Sequence, residues 1–374
     1  MEERWELVCA WRARVFSMSE LCAHFGVSRK TGYKWVERYE EGGVAGLSDR
    51  CRAPYSCPHR TSDEVAEAIV GVRRQHPRWG PKKILDVLAR SRGELQLPAV
   101  STAGAVLQRA GLVQGRRRRS RWAHPGRSAV TATRPNEVWT VDFKGQFRLG
   151  DRSMCYPLTV QDQFSRYLVA CRGLSSTHTS GVRSTLRRVF RECGMPEAIR
   201  TDNGSPFASP GLYGLTRLNV WWLRLGIRHD RIQKGHPEQN GSHERMHRDL
   251  KAEATRPPSS CLSSQQRRFD RFGREYNTER PHEGIGQRRP AELWTPPTRC
   301  YPSSLREPEY PGHLEVRRVR THGEIKFHGR RVFLSESLAG ELVGLEPVDE
   351  GLWSVIFNTT LLARYNERNH RIYG

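Results

Sequence analysis

No run of 18 apolar residues occurs in the 374-residue chain, so no segment is a candidate for a membrane-spanning helix. The first twenty residues carry Glu2, Glu3, Glu6 and Glu20 and do not resemble a secretory signal. A soluble, cytoplasmic protein with no membrane partner is expected. The nine cysteines (Cys9, Cys22, Cys51, Cys57, Cys155, Cys171, Cys193, Cys261 and Cys300) include no Cys-x-x-Cys pair. Their scatter and odd number argue against a disulfide framework. Cys51, Cys57 and His59 come nearest to a zinc cluster, but no fourth ligand stands at a suitable spacing, and they read as loop residues. No internal repeat is evident. Acid is scarce: 40 Asp and Glu stand against 62 Lys and Arg, a net charge of +22. A polyanionic partner is the natural inference.

The length suggests several domains. Residues 1–55 read as three helices, through Trp5, Val8 and Trp11, from Ser19 to Phe25, and from an N-cap at Ser28 to about Tyr39. The turn Gly26-Val27-Ser28 and the basic leading end of the third helix give a helix-turn-helix layout suited to a major groove. Ser28, Arg29, Lys30, Tyr33 and Lys34 are its candidate DNA contacts, with Trp35 and Val36 packing inward. Residues 60–113 suggest a second, weaker helix-turn-helix, opened by the capping-box spacing of Thr61 to Glu64.

Residues 114–133 form an arginine-rich linker. No acid occurs from Leu95 to Asn136, and Arg116, Arg117, Arg118, Arg119 and Arg121 crowd together there, which suits phosphate tracking along a duplex. Residues 134–295 alternate strands and helices, an α/β layer with helices on both faces. Residues 312–366 show short strands divided by His322-Gly323, His328-Gly329 and Glu350-Gly351, fitting a small all-β barrel.

Three acids stand out in the central region. Asp142 ends the apolar run Val138 to Phe143, Asp202 follows Ala198 to Thr201 and precedes Asn203-Gly204, and Glu244 lies just inside a helix opening at Gly241-Ser242. Two acids at strand ends and one on a helix can hold a pair of divalent cations, as in-line chemistry at a phosphodiester requires.

At these residues a resemblance becomes specific. Arg134 to Phe143 resembles the opening of an integrase catalytic core, Thr201 to Phe207 its second carboxylate motif, and Pro237 to Arg245 its third. Tyr276 to His282, followed by Pro290-Ala291-Glu292, resembles the stretch that closes the core. Together they resemble bacterial insertion-sequence transposases of the DDE type, in the retroviral-integrase superfamily. The resemblance implies a ribonuclease-H-like fold with Asp142, Asp202 and Glu244 as catalytic and metal-binding residues, two Mg²⁺ ions (Mn²⁺ as a substitute), and a nucleoid-associated bacterial setting. It implies double-stranded DNA as partner, both the element's terminal inverted repeats and the target, and a homodimer or higher multimer to join two ends. The acids lie 60 and 42 positions apart (202 − 142 and 244 − 202), the second interval longer than usual in the family. Glu238 therefore competes for the third role, but Glu244 has the Asn-Gly-x-x-Glu-Arg context and the helix. Lys234 and His236 precede that helix, where the family has a loop near DNA, and Lys251 shares the face of Glu244; all three are candidate DNA contacts. The rival readings are a non-catalytic DNA-binding protein and a nuclease acting on RNA–DNA hybrids.

Overall fold

The structure is a computed structural model that describes residues 2–50, 60–113, 132–209, 211–232 and 240–373. The chain divides into two compact units, Met1–Ser62 and Asp63–Gly374. Among the described residues no helix is long and apolar enough to cross a membrane.

The first unit holds α1 (Glu2–Arg12), α2 (Met18–His24) and α3 (Arg29–Gly46). Ser17 and Glu20 form a reciprocal capping box at the head of α2, and the Thr31 backbone N–H donates to Ser28 Oγ at the head of α3. That satisfies donors a helix start otherwise leaves unpaired. Helix α3 runs past the expected end near Tyr39 and kinks at Gly43, whose φ is 62°. Val8, Met18, Cys22, Trp35, Val36 and Leu47 make the core. Gly32 lets α2 and α3 approach closely, since a Cβ there would lie 2.6 Å from Cys22 Sγ and 2.7 Å from Met18 Sδ. Gly32→Ala is expected to destabilise this unit by about 1–3 kcal/mol, read by denaturant unfolding, because a packed core accepts an added methyl only by shifting.

The second unit begins with α4 (Asp63–Gln75), α5 (Pro81–Ser91) and α6 (Val100–Arg109) around Val65, Ile69, Trp79, Ile84, Leu88 and Leu107. A six-stranded sheet follows: β1 (Val138–Phe143), β2 (Phe147–Arg148), β3 (Met154–Asp162), β4 (Leu168–Leu174), β5 (Ala198–Thr201) and β6 (Arg228–Arg231). Strand β3 pairs antiparallel with β1 and β4, while β5 pairs parallel with β1 and β6. Helices α7 (Thr179–Cys193) and α8 (Arg217–Arg224) cover one face, their Val182, Leu186, Phe190 and Trp222 packing on Trp139, Val141, Leu158 and Val160. Helices α9 (Gly241–Ala254) and α10 (Leu262–Thr278) cover the other, bringing Met246, Leu250, Phe269 and Tyr276 onto Cys155, Leu168 and Cys171. A short α11 (Pro290–Leu293) ends the layer.

The two flanking parts of this unit meet the central layer through opposite chemistry. Among the described residues no apolar cluster joins α4–α6 to the layer; the seam is charged. His76 faces Glu275 at 3.0 Å, Lys82 faces Glu283 at 2.6 Å, Arg90 faces Glu292 at 2.7 Å, and Arg289 faces Asp86 at 2.9 Å. At the other end, Leu215, Val220 and Leu223 share one apolar core with Phe327, Leu338, Leu345, Val355 and Phe357.

The C-terminal strands are β7 (Glu315–Arg318), β8 (Glu324–Phe327), β9 (Arg330–Phe333), β10 (Leu342–Asp349), β11 (Leu352–Phe357), β12 (Thr360–Asn366) and β13 (Arg371–Tyr373). They pair as a five-stranded sheet, β13-β12-β11-β10-β7, plus the ribbon β8-β9, in the region where a small all-β barrel is expected. The sheet's apolar face shares one core with Ile325, Phe327 and Val332 of the ribbon, and Val220 and Leu223 of α8 join it.

Candidate active site

Strand periodicity places the first acid. Trp139 and Val141 point to the α7–α8 face, so Thr140 and Asp142 point toward α9. Thr159 lies opposite Asp142 on β3, and its hydroxyl donates to the Asp142 carbonyl at 2.9 Å. Strand β5 runs parallel to β1, so Asp202, just past its end, emerges at the same edge of the sheet. Asp142 and Asp202 line one cleft with Phe143, Tyr156, Ser205 and Phe207. The turn that presents Asp202 is built by its neighbours. The Gly204 N–H donates to Asp202 Oδ1 at 3.1 Å, and a Cβ at position 204 would stand 3.0 Å from Oδ2. Asn203 Nδ2 donates to the Ile232 carbonyl at 2.8 Å, tying the turn to the exit of β6.

Glu244 is exposed in the first turn of α9, where the helix dipole favours a carboxylate. It does not line the Asp142–Asp202 cleft, but its charge is felt at Asp142. Burial pushes the Asp142 carboxyl up to about 7; the negative charge of Asp202 is the next largest cause and Glu244 adds to it, against the Phe143 backbone N–H and Lys144. Asp142 is thus a buried carboxyl beside a second carboxylate, with Glu244 near enough to add to its charge, and the two aspartates offer oxygen donors of the kind that hard divalent cations take.

Sequence reasoning missed the layer beneath. His243 and His247 are buried on the inner face of α9, flanking Glu244. The signal was present: His243-Glu244-Arg245-Met246-His247 has the two-histidine helical spacing of a zinc metalloprotease. The geometry does not build that site. Both His243 nitrogens are taken, Nδ1 by Thr140 Oγ1 at 2.6 Å and Nε2 by Thr159 Oγ1 at 2.6 Å. Burial holds His243 neutral, down to about 3, and drives His247 strongly down as well.

The motif that closes the core is structural. Asn277 makes two hydrogen bonds with the backbone of Leu168, at 2.8 and 3.0 Å, the Tyr276 hydroxyl accepts from Gln161 Nε2, and buried Arg280 pairs with Asp249 and Glu253. Asn136, in the opening motif, accepts from the indoles of Trp139 and Trp294.

Ser28, Arg29, Lys30, Tyr33 and Lys34 are exposed on the leading turns of α3, and Lys251 is exposed on α9. Lys234, His236 and Glu238, and the arginines from Arg116 to Arg121, lie outside the described residues.

Comparison with known families places these features. The integrase core domain family matches residues 132–237, a second integrase core domain family matches 225–290, a helix-turn-helix domain family matches 3–55, and a homeodomain-like family matches 31–107. Among curated proteins, the insertion element IS407 uncharacterized 31.7 kDa protein of Burkholderia multivorans is 26% identical over 67% of this chain and 87% of its own length. The insertion element IS476 uncharacterized 39.2 kDa protein of Xanthomonas euvesicatoria is 27% identical over 67% of this chain and 70% of its own length. An integrase core behind N-terminal helix-turn-helix domains, with insertion element proteins as relatives, supports an insertion-sequence transposase of the integrase superfamily.

An integrase core is a polynucleotidyl-transferase domain, and the transposase carries it on the ribonuclease-H-like layer described above, after N-terminal helix-turn-helix elements. A chain of the cryo-EM structure of the simian T-cell lymphotropic virus intasome in complex with PP2A regulatory subunit B56 gamma matches 78% of the transposase and 97% of its own length, with 17% identity and a TM-score of 0.39.

Proposed function

We propose that this transposase binds the terminal inverted repeats of its mobile element, cleaves the DNA at the element's ends and transfers the released ends into target DNA. The observation that supports this reading is the convergence of Asp142 and Asp202, 60 positions apart in sequence, on one cleft at the end of the central sheet, with Glu244 near enough to add to the charge that Asp142 feels. We assign end binding to residues 1–55 and 60–113, phosphate tracking to the linker 114–133, chemistry to 134–295, and a supporting role to 312–366.

Asp142, Asp202 and Glu244 would hold two Mg²⁺ ions, with Mn²⁺ as a substitute. Such ions supply an activated oxygen nucleophile and neutralise charge on the leaving oxygen. The chain's own part is placement. Thr159 and the β1–β3 pairing fix the Asp142 backbone, the Asn203–Gly204 turn orients Asp202, and α9 carries Glu244. Lys251, with Lys234 and His236, would meet the phosphates flanking the reacting bond. Joining two ends calls for a homodimer or higher multimer.

The test is incubation of the full-length protein with a duplex carrying the element's terminal repeat. Nicking at the repeat's end and joining to a second duplex are expected in Mg²⁺ and absent in EDTA. Preferential cutting of an RNA–DNA hybrid would instead mark a ribonuclease H, and binding without any cleavage would mark a non-catalytic DNA-binding protein.

Recognition has its own expected result. Arg29→Ala or Lys34→Ala should narrow the preference for terminal-repeat over random DNA by roughly 1–3 kcal/mol if the residue reads a base edge. Equal weakening on both DNAs would assign it to phosphate alone.

A further inference from the structure

Hydrogen-bond accounting around Thr159 leaves one nitrogen in the transposase core with an unusual position. The Thr159 hydroxyl has a single hydrogen, which it donates to the Asp142 carbonyl. Its oxygen also lies 2.6 Å from His243 Nε2 and 2.7 Å from His247 Nε2, so both imidazoles donate to it from Nε2–H. Each ring is then the tautomer with a bare Nδ1. His243 Nδ1 lies 2.6 Å from the Thr140 hydroxyl, whose one hydrogen is shared between that nitrogen and the Gln161 carbonyl at 3.1 Å. His247 differs: among the described residues its Nδ1 makes no hydrogen bond and faces Asp142 Oδ2 at 3.7 Å.

A bare imidazole nitrogen facing a carboxylate oxygen is repelled by it unless something positive lies between. Ligand bonds of about 2.0–2.2 Å to nitrogen and to oxygen can together span a gap of that size. An imidazole that donates its other N–H to an oriented acceptor is also the usual form of a metal-ligating histidine. We propose that His247 Nδ1 is a ligand, beside Asp142, to one of the two divalent cations, with Thr159 as the positioning residue that fixes its tautomer. The inference rests on the acid-cluster reading given above. It makes one of the two cation positions a mixed nitrogen–oxygen site, which suits Mn²⁺ better than Mg²⁺, because imidazole is a softer donor than carboxylate.

The experiment is Mn²⁺ binding to the full-length protein without DNA, followed by electron paramagnetic resonance and by electron spin-echo modulation, which detects a ¹⁴N nucleus bonded to the ion. The wild type should show directly coordinated ¹⁴N. His247→Gln should lose that coupling, and both His247→Gln and Thr159→Val should weaken Mn²⁺ binding by about tenfold or more, with a smaller loss for Mg²⁺. Circular dichroism melts show which variants are folded, and the wild-type spectrum is decisive even if neither is. Mn²⁺ bound in an Asp142-dependent manner with no ¹⁴N coupling, or coupling that survives in folded His247→Gln, would overturn the histidine ligand and leave the acid cluster standing. Mn²⁺ binding unchanged in Asp142→Asn would overturn the acid cluster itself.

Discussion

Asp142→Asn, Asp202→Asn and Glu244→Gln should each lower end cleavage and strand transfer by roughly a thousandfold or more, since each removes a ligand from charge stabilisation worth several kcal/mol. Binding to terminal-repeat DNA should survive, because it is assigned to the helices of residues 1–55 and 60–113. Glu238→Gln should be far milder. A gel assay of nicking and joining, paired with a binding titration, separates the two effects. An inactive Glu238→Gln beside an active Glu244→Gln would move the third ligand to Glu238, and loss of binding in the aspartate variants would mean that they had damaged the fold.

The metal-free protein should become less stable as pH rises through neutrality, and Asp142→Asn should remove that loss. Burial and the charges of Asp202 and Glu244 hold the Asp142 carboxyl near 7, against an ordinary 3.8. Between those values the folded state keeps a proton that the unfolded chain has released. The stability this group contributes is therefore fully present below pH 4 and lost as pH climbs through 7. At pH 8 the ionised carboxylate should cost the folded state a few kcal/mol, roughly 2–4. In EDTA at pH 8 the asparagine variant should thus melt several degrees above wild type, and below pH 4 the gap should close. Added Mg²⁺ should raise the wild type and leave the variant nearly unmoved. Coincident melting curves across pH 5–8 in EDTA would show that Asp142 is not strained by its neighbours.

Both predictions start from residues that local patterns expose. The apolar run Val138 to Phe143 is β1, and Ala198 to Thr201 is β5 with the expected bounds, because buried central strands write themselves as short unbroken runs. The Ser28 cap appears as a hydrogen bond, since capping is set by neighbours three residues away. What escaped depends on contacts across the fold. The two-residue strand β2 has no periodicity to detect, and β12 runs from Thr360 into Leu361-Leu362-Ala363, three apolar residues in a row where alternation would mark a half-buried strand. The C-terminal strands share their core with Val220 and Leu223 of α8, and nothing local in either segment states that pairing. At the site, motifs single out the acids, whereas His247 matters only because Thr159, 88 positions away, holds its ring.

The charged seam between α4–α5 and α10–α11 bears on how binding measurements are interpreted. Lys82 and Arg90 of that module are already matched by Glu283 and Glu292, and Arg289 of the layer is matched by Asp86, so part of the joint's charge is neutralised before any DNA arrives. Most of these pairs are partly exposed, each worth at most about 1 kcal/mol, and salt screens them over the same concentration range in which it strips counterions from a duplex. The slope of log affinity against log salt therefore sums two processes, release of ions from the nucleic acid and loosening of an internal joint. Counting phosphates from that slope alone would overstate the contacts by whatever share belongs to the protein.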